Sequence, residues 1–320
     1  MQLVQIPTFP NELQPALQTL LSELESPWPP VADPYWPKWD HLWWKLTFLL
    51  ETGQIQQLSP GVFARFSELL AGHYLPFFPL LESELPAGID PYRQILCHCA
   101  LGTAMQILQA GGRDPWQDWP WLGEWLSRYQ LPDGGYNCDE AVYTQSQRSS
   151  LVSTLPVLEA LLQKRERSKV EQDLLRQGAE SLLKRRLFQS SHGKVIDPLW
   201  LQPLFPRFYN YDLLRALHFV CNWALICREP LTQESLKPAL NELQSQQQHR
   251  RLQAQSWYPA QETTLRQAAE SGEWERGQAS DLFPLLAAFI AGNYAQIYIQ
   301  PEWRAIEVKI QQLQSLGLFA

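Results

Sequence analysis

The sequence predicts an all-α fold. We expect one domain over residues 1–320, an α/α toroid in which five to six helical hairpins form an inner and an outer wall, with a partly irregular segment at 1–35. Three observations lead there. Apolar residues recur at helical spacing along almost the whole chain, and alternating strand patterns are scarce. Two kinds of helix alternate: HLWWKLTFLL, ILCHCALGTAMQIL and LLRALHFVCNWALI are apolar on nearly every side, as a helix enclosed by others is, whereas VEQDLLRQGAESLLKRRL is amphipathic and carries charge. The apolar helices begin near Asp40, Pro91, Ser149, Asp212 and Asp281, about 50 to 70 residues apart, the length of one hairpin with its loops. An open solenoid of helix pairs is the alternative arrangement.

The elements follow in order. NELQPALQTLLSELES starts at Asn11 and keeps its leucines on one face. DHLWWKLTFLLETG runs from Asp40 to a glycine stop at Gly53, and SPGVFARFSELLAGHYL opens with a capping serine and a first-turn proline. DPYRQILCHCALGTAMQILQAGG is expected to be helical from Asp90 to the Gly-Gly stop at 111–112. PWLGEWLSRYQ is short and amphipathic. SSLVSTLPVLEALLQK starts on two serines. KVEQDLLRQGAESLLKRRLF ends in a basic cluster that suits the negative pole of its helix. NYDLLRALHFVCNWALI, TQESLKPALNELQSQQQ and SDLFPLLAAFIAGNY start at Asp212, Thr232 and Asp281, and PEWRAIEVKIQQLQSLG is the last helical run.

The chain holds 14 Trp, 11 Tyr and 13 Phe. So many rings suit either an aromatic-rich core or the lining of a broad cavity. A net charge of −7 and no basic stripe argue against a nucleic-acid partner. Five cysteines, an odd number in a long chain, read as free thiols in a reducing cytoplasm. No leader pattern is present, and no apolar run reaches the ~18 residues of a transmembrane helix. Contact with a membrane surface stays open. The Trp- and Pro-rich stretch 27–45 is a lid, a membrane-touching patch or a seal over one end of the barrel.

Gly134 and Gly135 in QLPDGGYNC allow the positive φ of a sharp corner between an outer helix and the next inner one. This run resembles the Gln-x-x-Asp-Gly-(Gly/Ser)-aromatic repeat of squalene–hopene and oxidosqualene cyclases and of protein prenyltransferase β-subunits. SSLVSTLPVLEALL and FPRFYNYDLLRALHF resemble inner-helix starts in short bacterial relatives. The resemblance covers residues 90 to 290 and implies the α/α toroid of the terpenoid cyclase and prenyltransferase superfamily. The chemical motifs of those families depart from it. Asp-x-Asp-Asp and Asp-Asp-x-x-Asp are absent, and SSLVST stands where the prenyltransferases carry a zinc-binding Asp-x-Cys. LCHCALG compares poorly with the Cys-His-Gly segment of lanthionine-forming cyclases, since the glycine is missing.

In a toroid the loops that enter the inner helices gather at one end of the cavity. Asp212, Asp139 and Tyr211 are the candidate catalytic residues there, with an acid as proton donor or metal ligand; N-capping is the competing role for Asp212. Trp44, Tyr92, Tyr136, Tyr209 and Trp257 are candidate substrate contacts, since ring faces hold apolar chains and stabilise cations. Cys138, His98 and Asp212 form a candidate Zn²⁺ set, against buried thiols and a core histidine. Within CHC a helix turns about 100° per residue, so Cys97 and Cys99 are expected to face apart and not to share an ion.

These residues lean towards an enzyme acting on an apolar, isoprenoid-like small molecule in an aromatic-lined cavity, with zinc the one cofactor suggested. A non-catalytic ligand-binding or protein-interaction scaffold on the same fold is the alternative, and the missing acid and diphosphate motifs favour it.

Overall fold

A computed structural model describes residues 7–29, 33–249, 251–254, 263–268, 270–278 and 282–319. It is mostly helical. In chain order come α1 (Gln14–Glu25), α2 (Leu42–Glu51), α3 (Pro60–His73), α4 (His98–Ala110), α5 (Pro115–Asp118) and α6 (Leu122–Tyr129). Next are α7 (Leu151–Gln163), α8 (Lys169–Lys184), α9 (Leu213–Cys227) and α10 (Gln233–Ser245). An antiparallel hairpin of β1 (Thr263–Gln267) and β2 (Trp274–Gln278) precedes α11 (Pro284–Ala291) and α12 (Ala295–Ser315).

Polar side chains fix several helix starts by accepting from backbone N–H groups that have no partner inside the helix. Ser150 accepts from Ser153, Asp212 from Arg215 and Thr232 from Ser235, while Ser168 and Glu171 form a reciprocal capping box. Prolines open α3, α5 and α11, where a missing N–H costs nothing.

Gly102 sets a close helix contact. A Cβ on it would stand 2.4 Å from backbone atoms of Pro156 and Val157, so only a hydrogen lets α4 lie along α7 there. The Gly-Gly corner is built with equal economy. Gly134 has φ +93°, and a Cβ on it would meet the Gln177 carbonyl oxygen at 2.3 Å. Gln130 donates to the carbonyls of Gly134 and Leu174, both at 2.8 Å. Asp133 accepts from the Ser149 N–H at 3.0 Å, the Ser149 hydroxyl at 2.9 Å and Arg185 at 2.6 Å. The corner therefore joins the end of α6 to α8 and to the start of α7.

Two expectations need correction. The helix expected from Asp90 begins at His98, because residues 90–96 are taken by turns and Cys97 is an extended N-cap with φ −74° and ψ 153°. The hairpin was not expected; its threonines favour strands, and Gly272 at φ +72° serves the reversal between them. Within the Trp-rich stretch 27–45 the rings of Trp39, Trp43 and Trp44 are buried in the core. Among the described residues no helix is long and apolar enough to cross a membrane.

Five helices, α2, α4, α7, α9 and α12, each give side chains to one cavity of about 520 Å³. The apolar α11 was expected to face it. Instead Leu285, Leu286 and Phe289 of α11 are buried in the core, and α12 supplies Glu302 and Lys309, two turns apart on one face.

Candidate metal centre and central cavity

Because α4 starts at His98, the rotation expected between Cys97 and Cys99 does not apply. The extended backbone at Cys97 turns its thiol back over the helix end, and the two sulfurs lie 3.2 Å apart. Cys138, just past the Gly-Gly corner, brings its sulfur to 3.9 Å from that of Cys99. All three sulfurs fall within 4.8 Å of one another. A tetrahedral zinc with ~2.3 Å bonds needs sulfurs about 3.8 Å apart, so the set fits one ion with small side-chain adjustments. The neighbouring Cys97 and Cys99 sulfurs hold the Cys138 thiol well below its ordinary range, and those two thiols are pushed up in turn. A soft cation would displace the protons from three sulfurs set this close.

His98 adds a second observation. It is fully buried, and neither ring nitrogen reaches a hydrogen-bond partner. Its imidazole nonetheless lies near enough to Cys138 to help lower that thiol. It sits among the rings of Phe78, Trp125, Tyr129, Tyr136 and Tyr143, with centroids 5.1 to 6.1 Å away. A buried imidazole with two unmet nitrogens is costly, yet neither nitrogen falls within the group of three sulfurs.

The central cavity is charged. On one side Arg215 binds Glu159 through two bonds of 2.9 and 2.6 Å. On the other Arg207 bridges Asp212 and Glu302, reaching the latter at 2.8 Å. Glu51 accepts from the N–H groups of Arg207 and Phe208, both at 2.7 Å, and burial pushes its carboxyl up to about 7. Burial acts the same way on Glu302, but Arg207 and His218 outweigh it and hold that carboxyl at about 2. His218 Nδ1 lies 3.1 Å from Glu302, and its Nε2 lies 3.2 Å from Lys309 Nζ. Burial lowers the pKa of Lys309. Leu50, Leu162, Phe205, Phe208, Phe219 and Ile226 line the rest of the cavity.

The expected site residues separate. Of the expected metal set only Cys138 belongs to the cluster: the His98 nitrogens fall outside the group of three sulfurs, and Asp212 caps α9, pairs with Arg207 and is fully buried. Its place beside Cys138 is taken by Cys97 and Cys99. Asp139 is exposed and accepts from the Ala141 N–H at 2.9 Å, a local turn. Tyr211 is buried and donates to the Leu187 carbonyl. Trp44 donates to the Tyr35 carbonyl at 2.8 Å within the core, and Tyr136 donates to Leu126 at 3.0 Å. Tyr209 packs edge-on against Trp44 at 5.8 Å. Tyr92 is 67% exposed. None of Trp44, Tyr92, Tyr136 and Tyr209 lines the central cavity, and Trp257 lies outside the described residues.

The charged residues that do line it are not among the candidate site residues read from the sequence. Their signal was present: His218 interrupts an apolar helix, and Glu302 and Lys309 share one helix face. Comparison of the chain with protein-family models, with curated proteins and with solved structures gives no match.

Proposed function

We propose that the chain is an α/α toroid of the terpenoid cyclase and prenyltransferase type, and that it is an enzyme with zinc held by Cys97, Cys99 and Cys138. One observation carries this reading. Cys99, Thr103 and Gln106 follow one another on a single face of α4, the last two lining the cavity and the first belonging to the thiol cluster. The cluster thus stands one helical turn from the cavity wall. A thiolate-held zinc supplies a Lewis acid, or a bound thiolate or water made reactive at neutral pH.

The cavity supports an amphipathic substrate. The aliphatic and phenyl side chains would hold an apolar chain, isoprenoid or other, and the arginine–carboxylate side would receive a polar end. A scaffold without catalysis is the second reading, and the mutual pairing of Arg215 with Glu159 and of Arg207 with Asp212 and Glu302 favours it.

Two measurements test the proposal. Elemental analysis should find zinc at one per chain in the purified protein and none after Cys138→Ser. Long-chain amphiphiles should raise the melting temperature, and Thr103→Trp, which fills the cavity, should abolish that rise. A metal-free chain sinks the zinc centre, and amphiphile stabilisation unaffected by Thr103→Trp sinks the cavity as the binding site.

A further inference from the structure

We propose that Lys309 is an amine nucleophile, set up by His218 and Glu302 to form a Schiff base with an aldehyde or ketone bound in the central cavity. This deepens the reading of the cavity as a ligand site and is independent of the metal.

The geometry is a relay. Glu302 is ionised, so it accepts the proton on His218 Nδ1 across 3.1 Å. With Nδ1 turned to Glu302, the ring presents Nε2 to Lys309 Nζ at 3.2 Å. Arg207 holds the far oxygen of Glu302 at 2.8 Å, so the carboxylate cannot swing away. This is the arrangement in which a base activates a nucleophile while a third group orients the base. Glu302, His218 and Lys309 all line the cavity.

The surroundings of Lys309 favour the neutral amine. The side chain is buried, and burial lowers its pKa. Facing it are His218 and the thiol of Cys221 from α9, and Glu302 two turns earlier on α12. Burial pushes the Cys221 thiol up to about 12; Cys221 and Glu302 both draw the Lys309 pKa upward, and burial outweighs them. No salt-bridge distance joins Lys309 to a carboxylate among the described residues.

The step balances as follows. His218 Nε2 takes one proton from the Lys309 ammonium, and Glu302 offsets the imidazolium charge. The free amine attacks the carbonyl carbon, giving a carbinolamine. Its hydroxyl leaves as water with the proton returned by His218, and an iminium remains on Nζ. Ammonium plus carbonyl thus give iminium plus water, with no oxidant or reductant consumed.

The test is reductive trapping on the full chain. Butanal with cyanoborohydride should alkylate Lys309 about ten-fold faster or more than the exposed Lys169 near neutral pH, as peptide mass mapping would read it. The rate at Lys309 should level off at a lower pH than the rate at Lys169. His218→Gln should slow Lys309 and move its pH profile towards that of Lys169, leaving Lys169 unchanged. Equal rates at the two lysines in the unaltered protein would overturn the proposal, with no variant needed. Decanal separates this proposal from the cavity reading. Trapping of both aldehydes supports both; trapping of butanal alone supports the nucleophile and removes the cavity as a site for long chains.

Discussion

The Thr103 hydroxyl donates to the Cys99 carbonyl at 3.0 Å, one turn apart on α4. Thr103 belongs to the cavity wall and Cys99 to the thiol cluster, so the placement of one helix governs both. Gly102, between them, sets how deeply that helix sits against α7.

Cobalt reports on the thiol cluster directly. Co²⁺ added to metal-free protein should give an intense thiolate-to-metal band in the near ultraviolet and visible bands of a tetrahedral ion. Cys97→Ser, Cys99→Ser and Cys138→Ser should each weaken binding by more than about 100-fold, beyond what loss of an outer partner costs. Cys221→Ser and Cys227→Ser should leave the spectrum intact. A spectrum unchanged by any one of the first three substitutions removes that residue from the set.

Gly102→Ala should cost about 3 kcal/mol by urea unfolding, at the upper end for overpacking, because the added carbon meets backbone of Pro156 and Val157 at 2.4 Å and no rotamer relieves it. The helix has to back away, and Cys99 moves with it relative to Cys138. The cobalt spectrum of this variant should therefore change although no ligand has been altered. Stability within about 0.5 kcal/mol of the parent would mean that α4 and α7 do not touch there.

How much of this was legible in the sequence depends on how local the cause is. Each helical run read from its spacing contains a helix, because 3.6-residue periodicity and caps act within a few residues. The QLPDGGYNC corner was legible for the same reason. The thiol set was legible in part: Cys138 was named, but Cys97 and Cys99 were held apart by assuming that the helix reached back to Asp90. The relay was not legible. Its partners lie 84 and 91 residues apart along the chain, and only packing of α12 on α9 joins them. Glu302 and Lys309 were missed because an apolar helix was expected where α12 stands.

Asp133 tests the corner without touching either site. Its carboxylate takes Arg185, the Ser149 hydroxyl and the Ser149 N–H at once. Although Arg185 keeps its bonds to Ser149, Asp133→Ala leaves the Ser149 N–H unmatched and strips a partly buried guanidinium of its counter-charge, which should cost about 2 kcal/mol. Asp133→Asn keeps an acceptor and should cost less. Equal stability of all three proteins would mean that the corner is held by Gln130 and the glycines alone.

Glu302 and Glu51 act on stability in opposite directions along the pH scale. Glu302 has a folded pKa of about 2 against an ordinary 4.5, so between those values the unfolded chain binds more protons and stability rises with pH. Its contribution, about 3 kcal/mol, is full above pH 4.5 and is lost as pH falls towards 2. Glu51 has a folded pKa of about 7 against the same 4.5, so between 4.5 and 7 the folded chain binds more protons and stability falls with rising pH. These two carboxyls together place a maximum near pH 4.5 to 5. Urea unfolding at pH 3, 5 and 8 should trace it. Glu51→Gln cannot ionise, and its amide can accept from only one of the N–H groups of Arg207 and Phe208. It should be less stable than the parent at pH 5, yet lose much less between pH 5 and 8. A decline as steep as the parent's over that interval would show that Glu51 is already ionised in the folded protein at pH 5, and that the alkaline loss arises elsewhere.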